Sequence, residues 1–317
     1  MAVSRITSQP PEAPAASDDS FLDLGKLAAY AGIFTIALGV NYVGYVLTDR
    51  QVKVIVPTQK SAENLYDEAL RYMESQEGGM QPTEEDYKRA IKNLTSAFKM
   101  TPSPSELHAK ILVQRGLAFM MVNAANDAVA DFSFFLELYP RSESCASVFI
   151  NRAHCYEQLE KFDEALKDFA TAESCTSDHR LRFMIFYNRG CLYQDRCDNE
   201  RAIKDFKRAL RCDPTNEMKE DILHRLGFCS SEEDLYEDAI DYFSSALKCL
   251  DIEGPIHAEI LYHRATVYNK IDDSARALND LNAALKNKPT QETCEDIEQL
   301  IREIKHSGPY KYIQIQT

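Results

Sequence analysis

The sequence predicts an all-α solenoid of about six helical hairpins wound into a right-handed superhelix, behind one N-terminal transmembrane helix. Three observations predict it. A pattern of small and aromatic residues recurs every 37 residues across most of the 317-residue chain. Residues 27–47 run for 21 positions without a charge. Trp is absent and Gly numbers only 11, which suits helices better than a turn-rich β fold.

Taken in chain order, residues 1–23 are expected to be disordered, because Pro, Ala and Ser dominate the run SQPPEAPAASDDS. One Arg among several acids is unlike a mitochondrial presequence. Residues 24–47 form the expected membrane helix. Its 21 uncharged positions rise about 30 Å, the thickness of a bilayer's hydrocarbon core. Tyr30 lies near one end, and Tyr42 and Tyr45 near the other, as interfacial aromatics do. The polar lead is long for a secretory signal, and no small-residue cleavage site follows. Gly25, Gly32 and Gly39 are seven apart and share a face. Small residues there let a second membrane helix approach, and Asn41 would hydrogen-bond across such a contact. Arg50, Lys53 and Lys60 outnumber Lys26, which places the C-terminal part on the cytosolic side. Residues 48–59 are expected to be a linker.

The array is expected over residues 60–290. A small residue is followed twelve positions later by Ala in Gly116/Ala128, Ala153/Ala165, Gly190/Ala202, Gly227/Ala239 and Ala265/Ala277. Four residues beyond each alanine stands Phe132, Phe169, Phe206, Phe243 or Leu281. Small residues let the two helices of a hairpin approach, and the ring fills the gap between them. A first, irregular unit carries Leu65, Ala69 and Tyr72 on helix A and Ala90, Leu94 and Ala97 on helix B. Nine extra residues separate its helices, around SQEGGMQPTEED. Residues 291–317 are expected to give a capping helix, over QETCEDIEQLIREIKH, and an extended tail.

Residues 186–216, FYNRGCLYQDRCDNERAIKDFKRALRCDPTN, resemble the tetratricopeptide repeat. Phe186, Gly190, Tyr193, Ala202, Phe206, Ala209 and Pro214 fall at that family's signature positions. The resemblance covers residues 60 to about 290, and five copies in register carry it. The family's usual period is 34. The three extra residues fall between helix B and the next helix A, so either that loop or helix A is lengthened. In the family, helix A of each unit lines the concave groove. The groove candidates are Gln114, Asn151, His154, Tyr187, Asn188, His224, Arg225 and His263, polar groups fit to grip a peptide backbone. Some members hold acidic chaperone tails with a carboxylate clamp. Asn188 and Arg225 match two of its places, but Ile150, His154 and Asp221 stand where its other basic and amide groups belong. That mode is not expected.

Net charge is −14, of which −13 falls in residues 60–317. Nucleic acid is therefore not an expected partner, whereas basic peptides or presequences are. The nine cysteines form no CxxC pair, which points to a reducing compartment and to no metal site. Cys175, Cys212 and Cys249 recur every 37 residues and are expected to act as small core hydrophobes. Asp131, Asp168, Asp205 and Asp280 recur likewise and are expected to form a solvated or capping stripe. No nucleotide, metalloprotease or hydrolase motif appears, so neither an enzyme nor a cofactor is expected.

The expected function is a membrane-tethered protein-binding scaffold or receptor. In architecture it resembles N-anchored mitochondrial outer-membrane import receptors. The alternatives are a structural or assembly subunit of a membrane complex, and an adaptor for organelle fission or transport. The mitochondrial outer membrane is the favoured location; another organelle membrane or the mitochondrial inner membrane stays open.

Overall fold

The computed structural model of the protein describes residues 44–48, 51–55, 61–74, 80–249 and 254–307, and they fall in two units divided after Ser61. In the first unit, β1 (Gly44–Thr48) and β2 (Gln51–Ile55) pair antiparallel, from Gly44 opposite Ile55 to Thr48 opposite Gln51. This corrects two expectations. Positions 44–47 are strand and not the end of a membrane helix, and 51–55 are strand and not linker. The physical reason is local. Tyr45, Val46, Val52, Val54 and Ile55 are aromatic or β-branched, and only two residues separate the strands, the spacing of a tight hairpin. Positions 24–43 of the expected helix, with Gly25, Gly32, Gly39 and Asn41, lie outside the described residues, as do segment 1–23 and tail 308–317. Among the described residues no helix is long and apolar enough to cross a membrane.

In the second unit the described residues form thirteen helices. They are α1 (Ala62–Met73), α2 (Glu84–Met100), α3 (Glu106–Met121), α4 (Ala125–Leu138), α5 (Cys145–Gln158), α6 (Phe162–Cys175), α7 (His179–Asp195), α8 (Asn199–Leu210), α9 (Asn216–Glu232), α10 (Tyr236–Cys249), α11 (Pro255–Lys270), α12 (Ser274–Lys286) and α13 (Gln291–Ser307). The first twelve pack as six successive hairpins, each with a helix A and a helix B, and α13 covers the last one. Consecutive helices A touch, as α1 with α3, α3 with α5, α5 with α7 and α9 with α11, whereas consecutive helices B make no comparable contact. Helices A therefore lie on the inner side of the stack.

Local chemistry sets the helix starts. Thr83 and Asp86 form a reciprocal capping box ahead of α2. Ser105, Asp178, Asp198, Thr215 and Asp273 each accept a backbone N–H at the N-cap of their helices. The turns from A to B repeat too. Asn123, Glu160, Cys197, Asp234 and Asp272 all have φ between 56° and 60°. At each of these five turns the chain thus enters the left-handed region without a glycine, and Asp213 and Lys288 do so again after α8 and α12. The 37-residue period is met in two ways. Helix α7 takes 17 residues after a short connection, whereas α5 takes 14 after the longer connection from Leu138 to Cys145.

Inside the second, fourth and fifth hairpins the phenylalanine of helix B lies against the glycine of helix A. A Cβ on Gly116, Gly190 or Gly227 would come within 2.5, 2.8 or 2.6 Å of the ring of Phe132, Phe206 or Phe243. Phe132, Phe169, Phe206 and Phe243 are completely buried.

The recurring aspartates are buried, which overturns the solvated stripe. Asp131, Asp168, Asp205 and Asp280 each face an arginine sixteen residues earlier, namely Arg115, Arg152, Arg189 or Arg264. Two hydrogen bonds of 2.6–3.0 Å join each pair. The same guanidinium reaches helix B of the preceding unit. Arg152 donates to Ser133 and Arg264 to Ser244, both at 2.9 Å, and Arg189 donates to Glu173 at 3.0 Å. One arginine thereby ties three helices, and only a paired carboxylate makes its burial tolerable. In the fifth hairpin the equivalent positions are Leu226 and Tyr242, which pack as apolar groups.

The cysteine expectation fails for Cys175 and holds in part for Cys212 and Cys249, which pack against the edges of the core. Cys175 is exposed, and Cys212 and Cys249 are half-buried at or just past the ends of helices B, where their thiols turn back to the carbonyls of Arg208 and Ser245. The buried thiols are Cys145, Cys155 and Cys229.

Candidate functional site

The inner side of the stack is built by helices A, and the sequence-selected side chains all lie on them. Gln114 is on α3, Asn151 and His154 on α5, Tyr187 and Asn188 on α7, His224 and Arg225 on α9, and His263 on α11. All eight are half-buried. The structure joins six of them into contacts between neighbouring units. Asn188 Nδ2 lies 3.2 Å from His154 Nε2, and His154 Nδ1 lies 3.0 Å from Glu157. Tyr187 donates to Asp221 at 2.8 Å, and burial first, then this bond, pushes its phenol well above the usual range. Arg225 donates to the same Asp221 at 3.0 Å and to Gln194 at 3.1 Å. His224 Nε2 lies 2.8 Å from His263 Nδ1. Gln114 and Asn151 take no part in these contacts.

This geometry bears on the carboxylate clamp. Arg225 already serves a carboxylate of its own helix, so it does not stand ready for an incoming one. Phe228 and Ile256 are exposed on the same side, and with Arg225, Glu220 and the two histidines they line a cavity of about 350 Å³. The site thus pairs apolar surface with hydrogen-bonding groups, the composition that peptide grooves need.

Three members of the site were not selected from sequence. Asp221 bridges Tyr187 and Arg225, and its signal is the four-residue spacing to Arg225 on one helix. Glu259 stands four residues before His263 and faces the same cavity. Glu220 is buried there, and burial first, then Asp221 and Glu259, pushes its carboxyl up. His224 is driven down to about 4 by burial and then by His263, and His263 is lowered by burial, so both imidazoles are neutral at pH 7.

Comparison with known proteins agrees with this architecture. Residues 146–174 and 184–216 each match a model of the tetratricopeptide repeat. No curated protein matches the sequence. Among solved structures, a tetratricopeptide repeat protein from Parabacteroides merdae is 18% identical with a TM-score of 0.56, over 78% of this chain and 88% of that one. YrrB, described as a TPR protein with an unusual peptide-binding site, is 20% identical with a TM-score of 0.52, over 66% and 99%. The C-terminal part of a repeat-containing protein from Cytophaga hutchinsonii is 14% identical with a TM-score of 0.55, over 73% and 84%. The fold is that of tetratricopeptide repeat proteins.

Proposed function

We propose, with that repeat fold as the premise, that the inner side of the array holds an extended, basic polypeptide segment of a partner protein. The observation that carries this reading is the run of polar contacts along helices A. His154 with Asn188, and Tyr187 with Asp221, Arg225 and Gln194, are partly open groups that can exchange partners with a peptide backbone. Three carboxylates, Glu220, Asp221 and Glu259, oppose one guanidinium, Arg225, in the cavity at the fifth and sixth hairpins, which favours a cationic ligand. The peptide-binding site named for YrrB supports the choice of ligand class by analogy of fold. A labelled basic peptide titrated against the full-length protein is expected to bind in the micromolar range and to weaken as salt rises. Tyr187→Ala with Asn188→Ala is expected to reduce affinity about tenfold. Lys167→Ala, on helix B, is expected to leave affinity unchanged. Equal affinity of both variants would remove the groove from the reading.

The tether is part of the same proposal. The uncharged stretch that begins at residue 27 supports attachment to a membrane, and the basic residues after it support a cytosolic array. In the mitochondrial outer membrane the ligands of such a groove would be basic presequences. Protease protection of a tagged copy, read with organelle imaging, tests membrane and side together. A copy found in no membrane fraction would end that part of the proposal.

A further inference from the structure

His224, Glu259 and His263 converge where α9 packs on α11. Each offers one ligand atom, and the three atoms lie within 4.8 Å of one another. Glu259 and His263 are four residues apart, so they project from one face of α11. His224 comes from the helix beside it. Its ring meets that of His263 with centroids 5.0 Å apart and planes inclined by 29°. The 2.8 Å between His224 Nε2 and His263 Nδ1 means that one proton is now shared where a cation would sit.

We propose that His224, Glu259 and His263 form a binding site for a divalent transition metal, with Zn²⁺ as the ion they suit. Two imidazoles and a carboxylate are ligands of Zn²⁺, whereas Ca²⁺ and Mg²⁺ take oxygen sets. Charge supports the assignment too. Glu220 and Asp221 share the cavity with Glu259, and the one cation there, Arg225, is held by Asp221 and Gln194. Two nitrogens bound to one tetrahedral zinc stand about 3.3 Å apart. Loading the site therefore needs the rings to part by about half an ångström and the carboxylate of Glu259, whose ligand atom lies within 4.8 Å of theirs, to close to a similar spacing. Three protein ligands leave a fourth position to water or to a group of a bound partner. The inference shares its cavity with the peptide reading, but its test uses the metal ion alone and so succeeds or fails separately.

The test is titration of the full-length, metal-free protein with Zn²⁺ by calorimetry and with Co²⁺ by visible spectroscopy. One Zn²⁺ per chain is expected. The Co²⁺ complex is expected to show ligand-field bands without the sulfur-to-metal charge-transfer band that cysteine ligation gives. This separates the site from the nine thiols of the chain. His263→Gln is expected to weaken binding about 100-fold, and Glu259→Gln about tenfold. Glu259 is exposed, so its replacement leaves the packing alone, and circular dichroism of both variants checks that the helices persist. The proposal is overturned by unchanged affinity in a folded variant, by a sulfur charge-transfer band, or by no uptake at micromolar Zn²⁺.

Discussion

Arg152 and Asp168 show what a single residue decides in this chain. Their side chains are nearly buried, and the arginine touches three helices at once. Removing one partner strands the other charge in a poorly hydrated place. Arg152→Leu is therefore expected to destabilise the fold by about 3–5 kcal/mol. The fifth hairpin supplies the compensating change, since Leu226 and Tyr242 occupy the same two positions there. Arg152→Leu combined with Asp168→Tyr is expected to regain most of the loss. Urea unfolding followed by circular dichroism measures both. A double variant no more stable than the single one would show that packing cannot replace this ion pair.

At the scale of the element, the hairpin is set by one close approach. A Cβ on Gly190 would lie 2.8 Å from the Phe206 ring, so the helices sit as near as the ring allows. Gly190→Val is expected to cost about 1–3 kcal/mol through overpacking. Adding Phe206→Leu is expected to restore part of that, although Phe206→Leu alone destabilises by opening a cavity. The sixth hairpin already carries such a pair, Ala265 with Leu281, both fully buried. Thermal unfolding of the three variants checks the order. If the second substitution only adds to the first, α7 and α8 are not limited by this contact.

Among the described residues of the array, helix contacts run between neighbouring helices and units, so stability is a sum of local terms. Its acid response comes from histidines held neutral. His108, His224 and His263 all have pKa values lowered, first of all by burial. As pH falls below about 6.5 the unfolded chain takes up protons before the folded one does, and stability is lost. His224, at about 4 when folded, accounts for a loss of about 2 kcal/mol between pH 7 and pH 5. The groups facing it are His263, which lowers it, Asp221, which raises it, and Arg225, which lowers it, with Glu259 and Glu220 in the same cavity. Glu220, raised by burial, works in the opposite sense, because its folded form is favoured at low pH. His224→Gln with His263→Gln is expected to shrink the stability difference between pH 7 and pH 5, measured by urea unfolding. An unchanged difference would place the acid sensitivity elsewhere.

The amino-acid sequence by itself determined the hairpin register. Small residues, alanines and rings at fixed offsets such as Gly190, Ala202 and Phe206 have one consistent use, because a ring stacked on a backbone needs both at that spacing. The 37-residue period also places Asn151, Asn188 and Arg225 at one position of helix A in successive units. Burial was legible only in part. The aspartates ahead of the rings look polar and solvated, and their arginine partners lie sixteen residues away on another helix, a spacing without a local pattern. The strands at 44–48 and 51–55 were hidden by an apolar run that satisfies helix and strand alike. Only the tertiary structure decided how side chains 34 or 39 residues apart meet, as Tyr187 does Asp221 and His224 does His263. Packing one unit on the next sets those distances, and the sequence carries them only through the accumulated geometry of every hairpin between.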